Sequence, residues 1–351
     1  GVKTEVPEVT LVVCQRRVNS GVVQEQNAAV RVATVMLVDC FGQRVRNTRG
    51  VTLHDETHTL VDCDLQLFER HINPDHLPHA VIIDCTASRH IASHYAGWLE
   101  RGIHVITPNK KAFSGAYADY ASLHKSAKHG STHYMYETTV GAALPIVSTL
   151  KDLIKTGDDV RSVQGILSGT LAYLFNVYDG SRPFSEIVVA ARESGYTEPD
   201  PRDDLSGMDV ARKLTILARE LGQSVEIGDF PVESLVPEPL RDLSTSEFLD
   251  RLPEFDDDVQ ALYEKAASQN RKLRYVARLD ADGSAGVGLE MVDAGHPFSN
   301  INLTDNIVQF ETERYSANPL VIQGPGAGPD VTAGGVFGDL LKLAQYLSQG
   351  E

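Results

Sequence analysis

Between Gly195 and Lys213 the chain reads GYTEPDPRDDLSGMDVARK, and this stretch holds the side chains best suited to chemistry. Pro199 and Pro201 fix the backbone around Glu198 and Asp200, so those carboxylates are held rather than mobile. Asp209 and Lys213 are one helical turn apart and share a face, flanking the apolar stripe Val210, Leu214, Leu217, Ala218 and Leu221. An isolated i,i+4 pair is ordinarily solvated and contributes ~0.3–0.5 kcal/mol. Here Glu198, Asp200, Asp203 and Asp204 stand close by, and their mutual repulsion calls for a cationic ligand or basic partners. An acid turn aimed at a helix that presents Asp and Lys can grip a zwitterion. Its lysine can act as a general acid or base if its pKa is lowered.

Other segments could complete such a site. Asp84-Cys85-Thr86-Ala87-Ser88 supplies small residues and hydroxyls that let a flat ring approach the backbone. Thr107-Pro108-Asn109-Lys110-Lys111 places an amine at a neighbouring strand end. Lys110 could pair with a phosphate, or with a carbonyl oxygen that gains charge in a transition state; a plain surface lysine is the other reading. Glu137-Thr138-Thr139-Val140-Gly141-Ala142-Ala143-Leu144-Pro145 is a carboxylate followed by exposed carbonyls, which suits a hard monovalent cation or simply a hinge with a buried Glu. Ser168-Gly169-Thr170 stands where a strand turns into a helix, fit either to hold an anion on free amides or to cap the helix. The turn Gly324 to Gly328, before a helix with Thr332 in its first turn, can bring amides near a cofactor.

The elements that must position these residues fall into two groups. Val9 to Val13, Val30 to Val38, Ala80 to Asp84 and Ile103 to Thr107 are near-continuous apolar runs, as expected of parallel strands buried on both faces. Ile91 to Arg101 reads as a helix closed by Gly102, and Tyr117 to Lys128 as one closed by Gly130. This alternation predicts a doubly wound α/β sheet, whose ligands bind beyond the carboxyl ends of its strands. From Pro145 the pattern changes. Helices are predicted at Ile146 to Lys155, Thr170 to Tyr178, Phe184 to Glu193 and Ser206 to Leu221, with two acidic surface helices within Leu240 to Ala267. Strands are predicted at Val160 to Leu167, Leu273 to Asp280, Gly286 to Val292, Val308 to Glu313 and Leu320 to Ile322, and a last helix at Val331 to Leu347. The expected architecture is a dinucleotide-binding domain over 1–144, completed by 325–351, and an α+β domain with a mostly antiparallel sheet over 145–324.

A length of 351 residues, 42% hydrophobic and 23% charged, describes an ordinary globular chain of two domains. A net charge of −16 argues against general binding to nucleic acid or anionic membrane. No apolar run approaches the ~18 residues of a membrane span, and the first residues do not read as a signal peptide. Cys14, Cys40, Cys63 and Cys85 form no CxxC pair, so reduced, mostly buried thiols are expected.

At TPNKKA, TVGAALP, GILSGTLAYLFN, TEPDPRDDLSGMDVARK and GPGAGPDVTAGGVF, the chain resembles homoserine dehydrogenases, in particular the dehydrogenase part of bifunctional aspartate kinase–homoserine dehydrogenases, from about His79 to Leu347. The resemblance implies NADPH- or NADH-dependent reduction of aspartate 4-semialdehyde to homoserine, in threonine and methionine biosynthesis. It implies that Lys213 transfers the proton, that Asp209 and Glu198 grip substrate, and that Tyr196 and Thr170 line its pocket. Lys110 would stand at the nicotinamide and the reacting oxygen, and Thr86, Ala87, Gly195 and Gly328 would touch the cofactor. Glu137 and the carbonyls of Val140, Ala142 and Leu144 would hold a sodium ion, although Ala143 replaces a glycine of the family's hinge. A homodimer in the cytoplasm or plastid stroma is also implied. The departure is at the first strand, where Cys14 to Val22 has only Gly21 in place of a G-x-G-x-x-G turn. Asp39 favours NAD, while Arg44, Arg46 and Arg49 favour NADP. The missing turn keeps open a rival from another class, a non-catalytic paralogue or fragment that serves as a dimerisation or regulatory module. A different amino-acid semialdehyde dehydrogenase on the same scaffold is a third reading.

Overall fold

The computed structural model describes residues 8–14, 31–39, 44–48, 61–62, 65–72 and 79–348. It divides into two compact units, Gly1–Thr139 with Gly334–Glu351, and Val140–Ala333.

The first unit is built on a seven-stranded sheet. Its strands are β1 (Glu8–Cys14), β2 (Arg31–Asp39), β3 (Arg44–Thr48), β4 (Val61–Asp62), β5 (His79–Asp84), β6 (Ile103–Ile106) and β7 (Tyr134–Met135), in the spatial order β4-β3-β2-β1-β5-β6-β7. From β2 to β7 all pairings are parallel, while β3 and β4 add an antiparallel edge. The strand order reverses between β1 and β5, which pair in register with Cys14 beside Asp84. That reversal is the switch point where doubly wound sheets bind ligands. The glycine-poor segment after β1 lies outside the described residues, as do Cys40, Cys63 and Arg49; Asp39 ends β2 opposite Arg44.

The helices of this unit are α1 (Leu65–Ile72), α2 (Arg89–Ala92), α3 (Tyr95–Glu100), α4 (Lys111–Ser114) and α5 (Tyr117–Gly130). Val81, Ile83 and Ile106 pack on Val336, Leu340 and Leu343 of the C-terminal helix. The intervening Ile82 and Val105 are fully buried too, as both-face coverage of a parallel sheet requires. The single helix expected from Ile91 to Arg101 is broken into α2 and α3. The Ser93 hydroxyl takes the His90 carbonyl at 2.7 Å, and the His94 amide turns back to Ile91, so local side-chain bonding displaces the helical ladder. Gly130 does not close α5. Ser131 adopts the left-handed cap, with φ of 52°, and Gly130 is needed because a Cβ there would stand 1.9 Å from the Leu99 carbonyl oxygen.

The second unit contains α6 (Ile146–Lys155), β8 (Val160–Ile166), α7 (Gly169–Val177), α8 (Phe184–Glu193), α9 (Arg202–Leu205), α10 (Met208–Glu220), α11 (Thr245–Arg251) and α12 (Asp256–Ser268). It continues through β9 (Arg271–Asp280), β10 (Ala285–Asp293), β11 (Asp305–Thr312) and β12 (Leu320–Pro325) into the start of α13 (Pro329–Ser348). Its five strands, ordered β10-β9-β8-β11-β12, are antiparallel throughout. Ile166, Ala172, Val276, Val292, Phe298, Ile301 and Ile307 form the core on one face. The expected helix from Ser206 to Leu221 is cut at Gly207. That residue holds φ at 72°, and a Cβ on it would meet the Tyr275 hydroxyl at 2.0 Å, so α10 begins afresh at Met208. The acidic segment from Leu240 does form two helices, but it is anchored inward by Leu240, Phe248, Leu252 and Ala266. The α/β fold with a separate antiparallel sheet is as expected.

One buried carboxylate organises the strand ends at the switch point. The Asp84 side chain, fully buried at the end of β5, accepts from the Tyr95 hydroxyl, from the Thr86 amide at 2.7 Å and from the Asn109 side-chain amide at 3.1 Å. Burial pushes its carboxyl up, and these hydrogen bonds oppose that rise. Asp84→Ala leaves three buried donors without their acceptor, so a loss of about 3 kcal/mol in unfolding free energy is expected by urea denaturation. A loss below about 1 kcal/mol would contradict this role.

Candidate active site

Helix α10 is buried round most of its circumference. Val210, Ala211, Leu214, Thr215, Ile216, Leu217 and Ala218 are covered, and so are the cationic Lys213 and Arg219. Lys213 is only 7% exposed. Its Nζ donates to the Leu167 carbonyl oxygen at 2.6 Å and lies 2.8 Å from Asp209 Oδ2. The expectation that Lys213 merely flanks the apolar stripe is therefore corrected: the close approach of β8 to α10 draws it inside. An ammonium taken from water needs fixed polar partners, and a carboxylate with a backbone carbonyl supplies them. Asp209 keeps its side chain 44% exposed, so the pair joins a buried amine to an accessible carboxylate.

The acid turn divides its charges among distinct tasks. Asp200 is not free to take a ligand. Arg202 Nε and Nη2 grip it at 3.0 and 2.6 Å, the Thr245 hydroxyl donates to it at 2.9 Å, and the Arg202 hydrogen bond holds its carboxyl down near about 2. The basic partner demanded by the cluster is thus Arg202, which also donates to the carbonyls of Arg241 and Leu243. Asp204 accepts the Glu198 amide at 2.8 Å. Burial raises its carboxyl, and the nearby Glu198 and Asp209 charges add to the rise. Glu198 remains exposed.

Thr170 and Tyr196 are brought together beside this turn. The Thr170 hydroxyl donates to the Tyr196 carbonyl at 2.8 Å, and the Tyr196 ring stacks on Tyr173 with centroids 4.3 Å apart. Ser168 caps α7, its hydroxyl accepting the Leu171 amide at 3.2 Å. Gly195 and Gly328 are exposed, with φ of 75° and 113°, a backbone that other residues rarely adopt. On the second unit, therefore, Thr170, Tyr196, Glu198, Asp209 and Lys213 belong to one neighbourhood.

On the first unit, Thr86, Ala87 and Lys110 sit on the loops that follow β5 and β6, held by the bonds around Asp84. The Thr107 hydroxyl donates to the Asp84 carbonyl at 2.7 Å, and the Asn109 side chain reaches the Ser88 carbonyl at 3.0 Å. Thr86 is buried and its hydroxyl accepts the Ser88 amide, while Ala87 is exposed. Lys110 is half-buried, and its carbonyl accepts the Phe113 and Ser114 amides at the start of α4. From sequence, Asp84 and Asn109 stand within the two candidate segments without a role of their own, and Tyr95 is not singled out. An Asp closing an apolar strand and an Asn after Pro108 were the available signals. The Cys85 thiol, half-buried, is pushed up to about 12 by burial and by Asp84, so it is inert.

Glu137 is buried, its amide donating to Asp339 Oδ2 at 3.0 Å and its carboxylate 3.7 Å from Lys342 Nζ. Gly141 and Ala142 take φ of 74° and 52°, whereas Ala143 has no positive φ. The alanine at 143 therefore carries no backbone penalty. Among the described residues no cluster of three His, Cys, Asp or Glu could hold a metal, and no helix is long and apolar enough to cross a membrane.

Residues 145–341 match the family described as homoserine dehydrogenase, and residues 18–137 match the homoserine dehydrogenase NAD-binding domain. The chain is 52% identical over 287 residues to a chloroplastic bifunctional aspartokinase/homoserine dehydrogenase of Zea mays, covering 81% of this chain and 31% of that protein. The chain thus spans about a third of the length of such relatives. It is 48% identical over 272 residues to the homoserine dehydrogenase of Schizosaccharomyces pombe, covering 75% of this chain and 72% of the yeast protein. A crystallised Candida auris protein of unknown function superposes with a TM-score of 0.87 at 36% identity, over 96% of this chain and 99% of that one. With both family domains matched in order and 72% of a yeast relative covered at 48% identity, the chain belongs to the homoserine dehydrogenase family.

Proposed function

We propose that this protein interconverts L-homoserine and L-aspartate 4-semialdehyde with NADP(H) or NAD(H). The observation that carries this reading is the buried Lys213, held between Asp209 and the Leu167 carbonyl beside the carboxylates of the acid turn. The bound nicotinamide supplies or accepts the hydride. In the oxidation direction Lys213, as its neutral amine, takes the proton of the substrate hydroxyl and becomes the ammonium; in reduction the ammonium returns that proton to the carbonyl oxygen. Asp209 and Glu198 attract the ammonium end of the substrate, while Thr170 and Tyr196 line the pocket. Lys110 serves at the nicotinamide and the reacting oxygen, and Thr86, Ala87, Gly195 and Gly328 receive the cofactor. The small, exposed Ala87 and the anchored loops at the switch point fit that task.

The non-catalytic alternative is not favoured, because the family's NAD-binding domain is matched from residue 18 onward and Lys213 has the environment of a working proton carrier. The same reading assigns Glu137 and the carbonyls of Val140, Ala142 and Leu144 to a sodium ion. Lys342 competes for the Glu137 carboxylate, so replacing sodium by a bulky organic cation should lower turnover without abolishing it. A homodimer is part of the proposal, since β12 is an edge that no described strand covers. A cytoplasmic or plastid setting is proposed on the strength of the relatives, the plant ones being chloroplastic.

Purified protein is expected to oxidise homoserine with NADP or NAD, followed by absorbance of the reduced cofactor. Lys213→Ala should lower kcat by roughly 10²–10⁴-fold, the range for loss of a general acid–base group, with cofactor affinity kept. Normal turnover in Lys213→Ala would sink the assignment. Asp200→Asn should act on stability rather than chemistry. Because Arg202 depresses the folded-state pKa of Asp200 to about 2, its contribution is present above the ordinary carboxylate value of about 4 and is lost as pH falls towards 2. Thermal melting of Asp200→Asn should therefore lie below wild type at pH 7, with a gap that narrows as pH falls below about 4 and closes only below about pH 2. Parallel melting curves across that window would show that Asp200 does not hold the turn.

A further inference from the structure

The Leu167 carbonyl that receives Lys213 is also held from its other side. β11 pairs with β8 so that Ile307 faces Ile166, which sets Asn306 opposite Leu167. The Asn306 side chain is fully buried, and its Nδ2 donates to the Leu167 carbonyl oxygen at 3.1 Å. One carbonyl oxygen thus accepts both the Lys213 ammonium and the Asn306 amide, which uses both of its lone pairs. The amide cannot turn over, because that would set Oδ1 against the Leu167 oxygen. It is also pinned by Gly326, where an added Cβ would stand 2.1 Å from Asn306 Cγ and 2.3 Å from Nδ2. The backbone of the glycine-rich turn therefore lies directly on the amide.

This arrangement leaves Asn306 Oδ1 buried with no hydrogen-bond partner. An unmatched buried acceptor is a standing penalty that a leucine of similar volume would avoid. Packing alone does not account for an asparagine here, whereas its donor does.

Building on the proton-transfer role proposed above, we infer that Asn306 is a positioning residue for Lys213, clamping the Leu167 carbonyl so that the amine is aimed and its ammonium is not over-stabilised. An acceptor shared with a second donor holds each donor less strongly, so the clamp makes it easier for Lys213 to give up its proton. The charged group on its own helix is Asp209, and the charges of Asp209 and Glu198 both act on Asp204 of α9. On the strand side Leu167 and Asn306 are neutral, and the adjoining Asp305 is engaged by Asn302 and Gln323.

The test compares Asn306→Leu and Asn306→Asp with wild type, by the pH dependence of homoserine oxidation and by melting temperature. Asn306→Leu should melt no lower than wild type, lose roughly tenfold or more in kcat with homoserine KM within about threefold, and move the acidic limb of the rate profile towards alkaline pH by about one unit. Asn306→Asp, which keeps the shape and adds a carboxyl, should move the limb further; it also serves if the leucine variant fails to fold. In parallel, the protein labelled with ¹³Cε-lysine is titrated, the Lys213 resonance being assigned by its loss in Lys213→Arg. The titration midpoint should rise in both variants. Unchanged kcat, limb and Lys213 midpoint would overturn the positioning role. If wild type itself does not turn over homoserine, the proposed function fails, and the Lys213 titration alone decides what Asn306 does.

Discussion

A lysine ammonium placed 7% exposed inside an α+β unit is the constraint to which much of that second unit answers. Taking such a charge out of water is unfavourable by several kcal/mol unless carboxylate and carbonyl partners are fixed around it. Three elements must agree for that to happen. Helix α10 contributes Asp209 at the i−4 position, β8 must end so that the Leu167 carbonyl points at Nζ, and β11 must lie in a register that brings Asn306 to the same oxygen. Gly207 lets α10 start where it does, against Tyr275, and Gly326 lets the last turn close over the amide. A one-residue slip in β11 would turn Asn306 to the opposite face and leave the carbonyl with a single donor.

The first unit solves a related problem with the opposite sign of charge. There a fully buried carboxylate, Asp84, gathers Tyr95, Thr86 and Asn109, and so ties the loop after β5 to the loop after β6. Loops at the ends of parallel strands are otherwise the most variable part of an α/β domain. A single anion with three donors converts them into a fixed rim on which Ala87 and Lys110 are displayed. In both units a buried charge trades solvation for geometry.

The acid turn shows how like charges are made compatible at close quarters. Asp200 is neutralised by Arg202, Asp204 takes the Glu198 amide, and Asp209 pairs with Lys213, which leaves the Glu198 side chain exposed. What reads in sequence as a uniform block of acids is a division of labour, with one member structural, one supporting, one paired to the buried Lys213 and one facing outward.

The chain by itself determined the apolar strands that became β1, β2, β5 and β6, the main helices and strands after Pro145, and the grouping of Glu198, Asp209 and Lys213, but not the short elements β3, β4, β7, α1, α4 and α9. Those features follow from periodicity and from side-chain chemistry within one or two turns, which are local quantities. Tertiary structure decided the rest. It placed Lys213 inside rather than beside the apolar stripe, assigned Asp200 to Arg202, broke the helix after Ala92, moved the cap of α5 from Gly130 to Ser131, and brought Asp84 to Asn109 and Asn306 to Leu167. The contacts behind the two charged hubs join residues as far apart in the chain as Leu167 and Asn306. Burial, carbonyl direction and strand register come into being only when such distant segments meet, so no window of sequence contains them.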